Sequence, residues 1–140
     1  MSTRYLVDTN VLLRFLTGEP VAQALAVKKL FARAATGELV LEVTPVIVAE
    51  TLYTLVSYYE VGRKDAVEKI EALLRQPGFK IRESSEVFSA LVRLKNTNVG
   101  FADAYLAASG AGQGMTIASF DRDFDKFKDV KRFDQASSTH

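Results

Sequence analysis

The chain contains no cysteine and a single histidine, His140, its last residue. Without thiols there is no disulfide scaffold, no zinc–cysteine site and no thiol nucleophile. With one terminal imidazole, histidine metal centres and Ser–His catalysis are excluded as well. Any chemistry must therefore use carboxylates, hydroxyls, amides and basic groups. Neither sign of charge is in excess: 18 Lys and Arg against 17 Asp and Glu leave a net +1. No global basic field announces nucleic acid, and the balance does not exclude it. No apolar run approaches the roughly 18 residues that span a membrane, and no charged-then-apolar leader opens the chain. A cytoplasmic location is the simplest expectation. Internal repeats and low-complexity segments are also missing.

What is present is 140 residues, 48% hydrophobic and 25% charged, enough for one soluble domain. We expect a single domain over 1–134 and a polar, disordered tail over 135–140. Tyr5-Leu6-Val7 reads as a buried strand and Asn10 to Leu16 as a helix, with Asp8 between them. After Gly18-Glu19-Pro20, a helix over Val21 to Ala35 carries Ala24, Val27, Phe31 and Ala34 on one stripe, and Gly37 ends it. Leu39 to Val43 is the second strand. Thr44 as cap and Pro45 at the first position open a third helix to Tyr59, apolar on more than one face. An amphipathic helix with Ala66, Val67, Ile70, Leu73 and Leu74 follows Gly62, then a strand at Phe79 to Ile81. Ser85 to Lys95 and Phe101 to Gly110 are helical. Met115 to Ala118 is a strand, Arg122 to Phe127 a short helix, and Val130 to Phe133 an edge strand.

Strands alternating with helices predict an α/β fold, a three-layer α/β/α sandwich around a parallel sheet of four to five strands. The first strand is expected centrally, beside the strand at Met115.

The informative side chains are acids. Asp8 ends a strand where a helix begins, the carboxyl edge at which open parallel sheets bind ligands. Aspartate is also a good N-cap, so both readings stand. Glu50 lies one turn into the third helix, and its neighbours Val46, Ile47, Tyr53 and Thr54 offer no cation. It is either a rim position reaching water or an acid held for a purpose. Asp103 opens a helix, where an acid complements the dipole. Asp121 follows the Met115 strand and could cap the short helix that carries Asp123 and Asp125, of which at least one should be solvated surface. The expected topology brings Asp8, Glu50, Asp103 and Asp121 to one edge. Carboxylates so gathered stay ionised only around a cation. All-oxygen ligands point to Mg²⁺ or Mn²⁺, and such a site suits phosphodiester hydrolysis. Arg14, four residues beyond Asn10 on one helical face, is either a contact for phosphate or a carboxylate or an ordinary surface arginine. Lys126, Lys128, Lys131 and Arg132 are read as a solvated edge in preference to a groove.

With these residues in hand, the sequence resembles a known family. Asp8-Thr9-Asn10-Val11-Leu12-Leu13-Arg14, Glu50 in its apolar helix, Phe101-Ala102-Asp103-Ala104-Tyr105-Leu106-Ala107-Ala108 and Ser119-Phe120-Asp121-Arg122-Asp123-Phe124 look like PIN-domain ribonucleases, and more narrowly like VapC toxins of toxin–antitoxin pairs. The resemblance implies a PIN-like fold and a catalytic set of Asp8, Glu50, Asp103 and Asp121 binding Mg²⁺, with Mn²⁺ able to substitute. Asp123 would contribute to the metal, and Thr9, Asn10 and Ser119 would support the site by hydrogen bonding. It also implies a homodimer, inhibition by a small VapB-type antitoxin, whose carboxylates are one candidate contact for Arg14, and endonucleolytic cleavage of RNA.

Three other readings compete. One is a PIN-type RNA-processing nuclease without an antitoxin. Another is an aspartyl-phosphate receiver or phosphotransferase using Asp8, which needs no glutamate like Glu50. A third is an interaction domain whose acids are caps. Gly110-Ala111-Gly112-Gln113-Gly114 follows a helix and precedes a strand, the wrong order for a phosphate loop, and is read as a helix stop and turn.

Overall fold

Leu39-Val40-Leu41-Glu42-Val43 is a nearly continuous apolar run, and in the computed structural model, which describes residues 3–133, it becomes the middle strand of a three-stranded parallel sheet. Strands buried on both faces read this way because neither face can be polar. The chain divides into two compact units, Met1–Ser84 and Ser85–His140. No composition shift marks the division. The expected tail at 135–140 lies outside the described residues.

The first unit runs β1 (Thr3–Leu6), α1 (Thr9–Thr17), α2 (Val21–Ala35), β2 (Leu39–Val43), α3 (Pro45–Ser57), α4 (Arg63–Leu74) and β3 (Phe79–Ile81). Its sheet has the order β1-β2-β3, with Leu6 opposite Glu42 and Val43 opposite Ile81. The first strand is therefore the edge of this sheet and not its centre. Its opening residues, Thr3 and Arg4, are polar and all four positions are exposed, whereas β2 is buried at four of five. The core gathers Leu12 and Leu13 of α1, Leu41 and Val43 of β2, Val48, Leu52 and Leu55 of α3, and Val67 and Ile70 of α4. Each such side chain contributes roughly 1.5–3 kcal/mol on burial. Phe31 bridges two elements, with ring centroids 4.8 Å from Phe15 and 5.1 Å from Phe79. Thr44 is the N-cap of α3 through its carbonyl, which accepts from Val48 N, but its side chain makes no capping bond.

The second unit holds α5 (Ser84–Leu94), which begins on the last residue of the first, then α6 (Phe101–Gln113), β4 (Ile117–Ala118), a 3₁₀ turn (Arg122–Lys126) and β5 (Arg132–Phe133). The expected edge strand is β5, paired in parallel with β4. Val87, Ala90, Leu91 and Leu94 of α5 and Ala104, Ala107 and Ala108 of α6 are buried. Every described strand pair is parallel, and the protein is of the α/β class.

Two helix ends differ from expectation. The third helix stops at Ser57 because the chain turns left-handed at Glu60 (φ 56°). The sixth does not stop at Gly110 but runs through Gln113, and Gly114 in the left-handed region (φ 66°) ends it. Gly110 is there for proximity: a Cβ would sit 2.6 Å from Ile117 Cδ1 and 2.9 Å from Met115 O. Among the described residues no helix is long and apolar enough to cross a membrane.

Candidate active site

In the first unit the site is built on Thr9. Asp8, in extended conformation, is the N-cap of α1, and its Oδ1 accepts from Thr9 N at 2.8 Å. An ordinary cap serves the amides two or three residues on; here the amide of Val11 goes to the Asp8 carbonyl instead. Asp8 is thus a cap by position, while Oδ2 accepts no hydrogen bond among the described residues. The Thr9 side chain is buried, and its Oγ1 donates to Glu50 Oε2 at 3.0 Å. One residue therefore ties together two carboxylates from a strand–helix junction and from α3. Glu50 is exposed, as a rim glutamate would be, yet it is held. No cation stands against either acid among the described residues. Asn10 is exposed in the first turn of α1 and makes no hydrogen bond among the described residues beyond the helix itself. Arg14 gives its Nε to Gln23 Oε1 at 2.7 Å. Asn10, Arg14 and Gln23 line a cleft of about 260 Å³ with apolar Val11, Ala26 and Val27.

Glu42 in the neighbouring strand is an instructive contrast. It is 4% exposed, and Arg4 Nη2 reaches Oε1 at 2.6 Å while Arg82 Nε donates to Oε2. The hydrogen bonds from Arg4 and then Arg82 lower its pKa to about 2. Sequence reasoning passed over this acid. Its signal was a glutamate inside an otherwise apolar strand, which must be partnered.

The second unit positions the other acids. Asp103 is half-buried in the first turn of α6 and makes no side-chain hydrogen bond or ion pair among the described residues. Asp121 caps the 3₁₀ turn, its Oδ1 accepting from Asp123 N at 2.9 Å, and Ser119 Oγ accepts from Asp121 N at 2.9 Å. Asp123 is ion-paired with Lys126 at 3.3 Å. Asp125 is not plain solvated surface: it takes Arg132 through both oxygens, at 3.0 and 3.1 Å. Arg132, only 5% exposed in its side chain, also donates to the Ser119 carbonyl at 3.2 Å, so it braces the turn and does not line a groove. Arg93 forms a second two-pronged pair, with Asp129 at 2.8 and 2.5 Å, whose hydrogen bond lowers the Asp129 pKa.

Within neither unit do three Asp, Glu, His or Cys side chains gather closely enough to hold a metal, among the described residues. The family acids are divided between the units: Asp8 and Glu50 in the first, Asp103, Asp121 and Asp123 in the second. The donors at Thr9 are carboxylate oxygens, each acid with one oxygen fixed and one open, which fits a hard cation.

Parallel α/β architecture with acids at the ends of strands and starts of helices defines a class, and comparison gives it a family. The family model for the PIN domain matches residues 5–130, and the chain belongs to that family. PIN domains are generally nucleases that use divalent metal ions. No curated protein matches the sequence significantly. Among solved structures, the chain is similar to VapBC2 from Rickettsia felis bound to a DNA fragment from their promoter, at 12% identity and a TM-score of 0.39, over 94% of this chain and 98% of that one.

Proposed function

We propose that this PIN domain is an Mg²⁺-dependent endoribonuclease that acts as the VapC-type toxin of a toxin–antitoxin pair in the cytoplasm, as one nuclease domain over 1–134. The observation that carries this reading is the double hydrogen bond of Thr9, which binds both Asp8 and Glu50 where neither has a basic partner among the described residues. Two carboxylates bound to one residue, each with an oxygen left open, suit a shared divalent cation. In this reading Asp8, Glu50, Asp103 and Asp121 are the catalytic acids that bind Mg²⁺, or Mn²⁺ in its place, and Asp123 joins them when released from Lys126. A bound divalent cation supplies a water nucleophile near neutral pH and offsets charge developing on the phosphodiester oxygens. Thr9 fixes one oxygen of each acid in the first unit and leaves the other oxygen to the metal. Ser119 holds the backbone at Asp121, whose own cap leaves Oδ2 available. Asn10 and Arg14 line the cleft next along α1, where the guanidinium N–H groups not used by Gln23 can meet an RNA phosphate or an antitoxin carboxylate.

The resemblance to VapC toxins supports the antitoxin and the homodimer. For the dimer there is also the exposed apolar stretch of α3 and its end, Val46, Tyr53, Val56 and Tyr58. The test is cleavage of total RNA by the purified protein with Mg²⁺, with EDTA, and with the protein encoded by the neighbouring reading frame. Cleavage that needs the metal and is blocked by the neighbour is expected. Full activity in EDTA contradicts the metal mechanism, and indifference to the neighbour leaves an RNA-processing nuclease.

A further inference from the structure

The second unit contains a cavity of about 290 Å³ that the proposed nuclease chemistry does not use. Glu86 and Ser89 of α5 line it, with Ala108 and Ala111 of α6 and the Arg93–Asp129 pair. The small side chains of α6 leave the room. The charges around it do not cancel. Arg93 and Asp129 neutralise each other through two hydrogen bonds, and Arg93 also lies 5.1 Å from the Phe127 ring centroid. Glu86 has no such partner: its Oε2 is sealed from solvent and accepts no hydrogen bond among the described residues. A carboxylate dry on one side and unpaired is poorly solvated, so a cation on its open side stabilises it more than it would a surface acid.

We propose that this cavity is a binding site for a small aliphatic amine, whose ammonium group pairs with the Glu86 carboxylate while its carbon chain lies against Ala108 and Ala111. The Ser89 hydroxyl lines the same space, its oxygen accepting from Arg93 Nε at 3.3 Å. A metal ion is the poorer fit, since one unpaired carboxylate offers too few oxygen ligands.

The test is an NMR titration of the whole ¹⁵N-labelled protein with n-butylamine in an amine-free buffer, with n-butanol as the uncharged control. The amine should shift the amides around Glu86 and Ala111 saturably, with a dissociation constant on the order of 1 mM for so small a ligand. The alcohol should bind at least about tenfold more weakly, and Glu86→Gln should weaken the amine by a similar factor. Ala111→Leu fills the space without touching the charge and should abolish the shifts at Glu86. No saturable shift in the parental protein overturns the proposal, and so does equal binding by Glu86→Gln. Because the readout is binding to the free protein, it stands apart from any result on RNA cleavage.

Discussion

Glu42 and Glu50 sit eight residues apart, one in a strand and one in the helix that follows it, and the fold treats them in opposite ways. Glu42 is buried and held between two guanidiniums, from Arg4 and Arg82. Glu50 is exposed, and its side chain accepts a hydrogen bond from the hydroxyl of Thr9. The same division separates Asp125 and Asp129, each gripped by an arginine, from Asp8 and Asp103, which have none among the described residues. Among the described residues, arginines grip the acids that brace strands and turns, whereas of the acids proposed to bind metal only Asp123 has a cation, Lys126.

The largest effect that could break this comparison is on catalysis. Glu50→Gln should lower metal-dependent RNA cleavage by about a hundredfold or more, since removing even an indirect supporter of a metal site costs ten- to a hundredfold. Its melting temperature should hold or rise, because one of two neighbouring negative charges is gone. Glu42→Gln should do the reverse: a clear loss of stability at neutral pH with the specific activity of the folded protein unchanged. It should also alter the response to acid. The Glu42 pKa is lowered in the folded state from 4.5 to about 2, so its contribution is complete above 4.5 and is lost as the pH falls from there towards 2. Urea melts across that window should be steeper in pH for the parental protein than for Glu42→Gln. If the two curves are parallel, the clamp is not what stabilises β2.

Thr9→Val sharpens the contrast further. It keeps the shape and removes the donor to Glu50, and should slow cleavage about tenfold while costing about 1 kcal/mol of stability. Thr9→Ser should restore the rate, which a purely packing role would not explain. The smallest effect is expected from Asp129→Asn. Its side chain is 59% exposed, so the Arg93 pair is screened by water and contributes about 1 kcal/mol or less, falling with added salt. Chemical denaturation at low and high salt checks this.

Much of the fold was legible because local signals agree with it. The apolar run of β2, the Pro45 start of α3 and the stripes of α2 and α4 all appear where their periodicities put them. Misreadings arose where a distant residue decides. Gly110 looked like a helix stop, but its missing side chain makes room for Ile117 and Met115, and α6 continues past it. The first strand was expected centrally on the crossover rule, yet in the sheet of the first unit it lies at the edge, with two polar opening residues. At least one of Asp123 and Asp125 was expected to be plain solvated surface, but both are ion-paired, Asp125 with Arg132 from seven residues on and Asp123 with Lys126. Of the proposed site, Asp8, Glu50 and Thr9 stand out in the sequence as candidates. The bond from Thr9 to Glu50 does not, since it joins positions 41 residues apart.

The central claim, that Asp8 is an acid reserved for a cation and not simply a helix cap, is tested most directly by Asp8→Asn, assayed for RNA cleavage in Mg²⁺ and for thermal unfolding without metal. Asparagine caps helices about as well as aspartate, but a neutral amide is a poorer ligand for a hard cation. The expected variant is folded, melts at the parental temperature or above it, and cleaves RNA slower by orders of magnitude. An Asp8→Asn protein that cleaves RNA at the parental rate would contradict the account, and would make Asp8 a cap and nothing more.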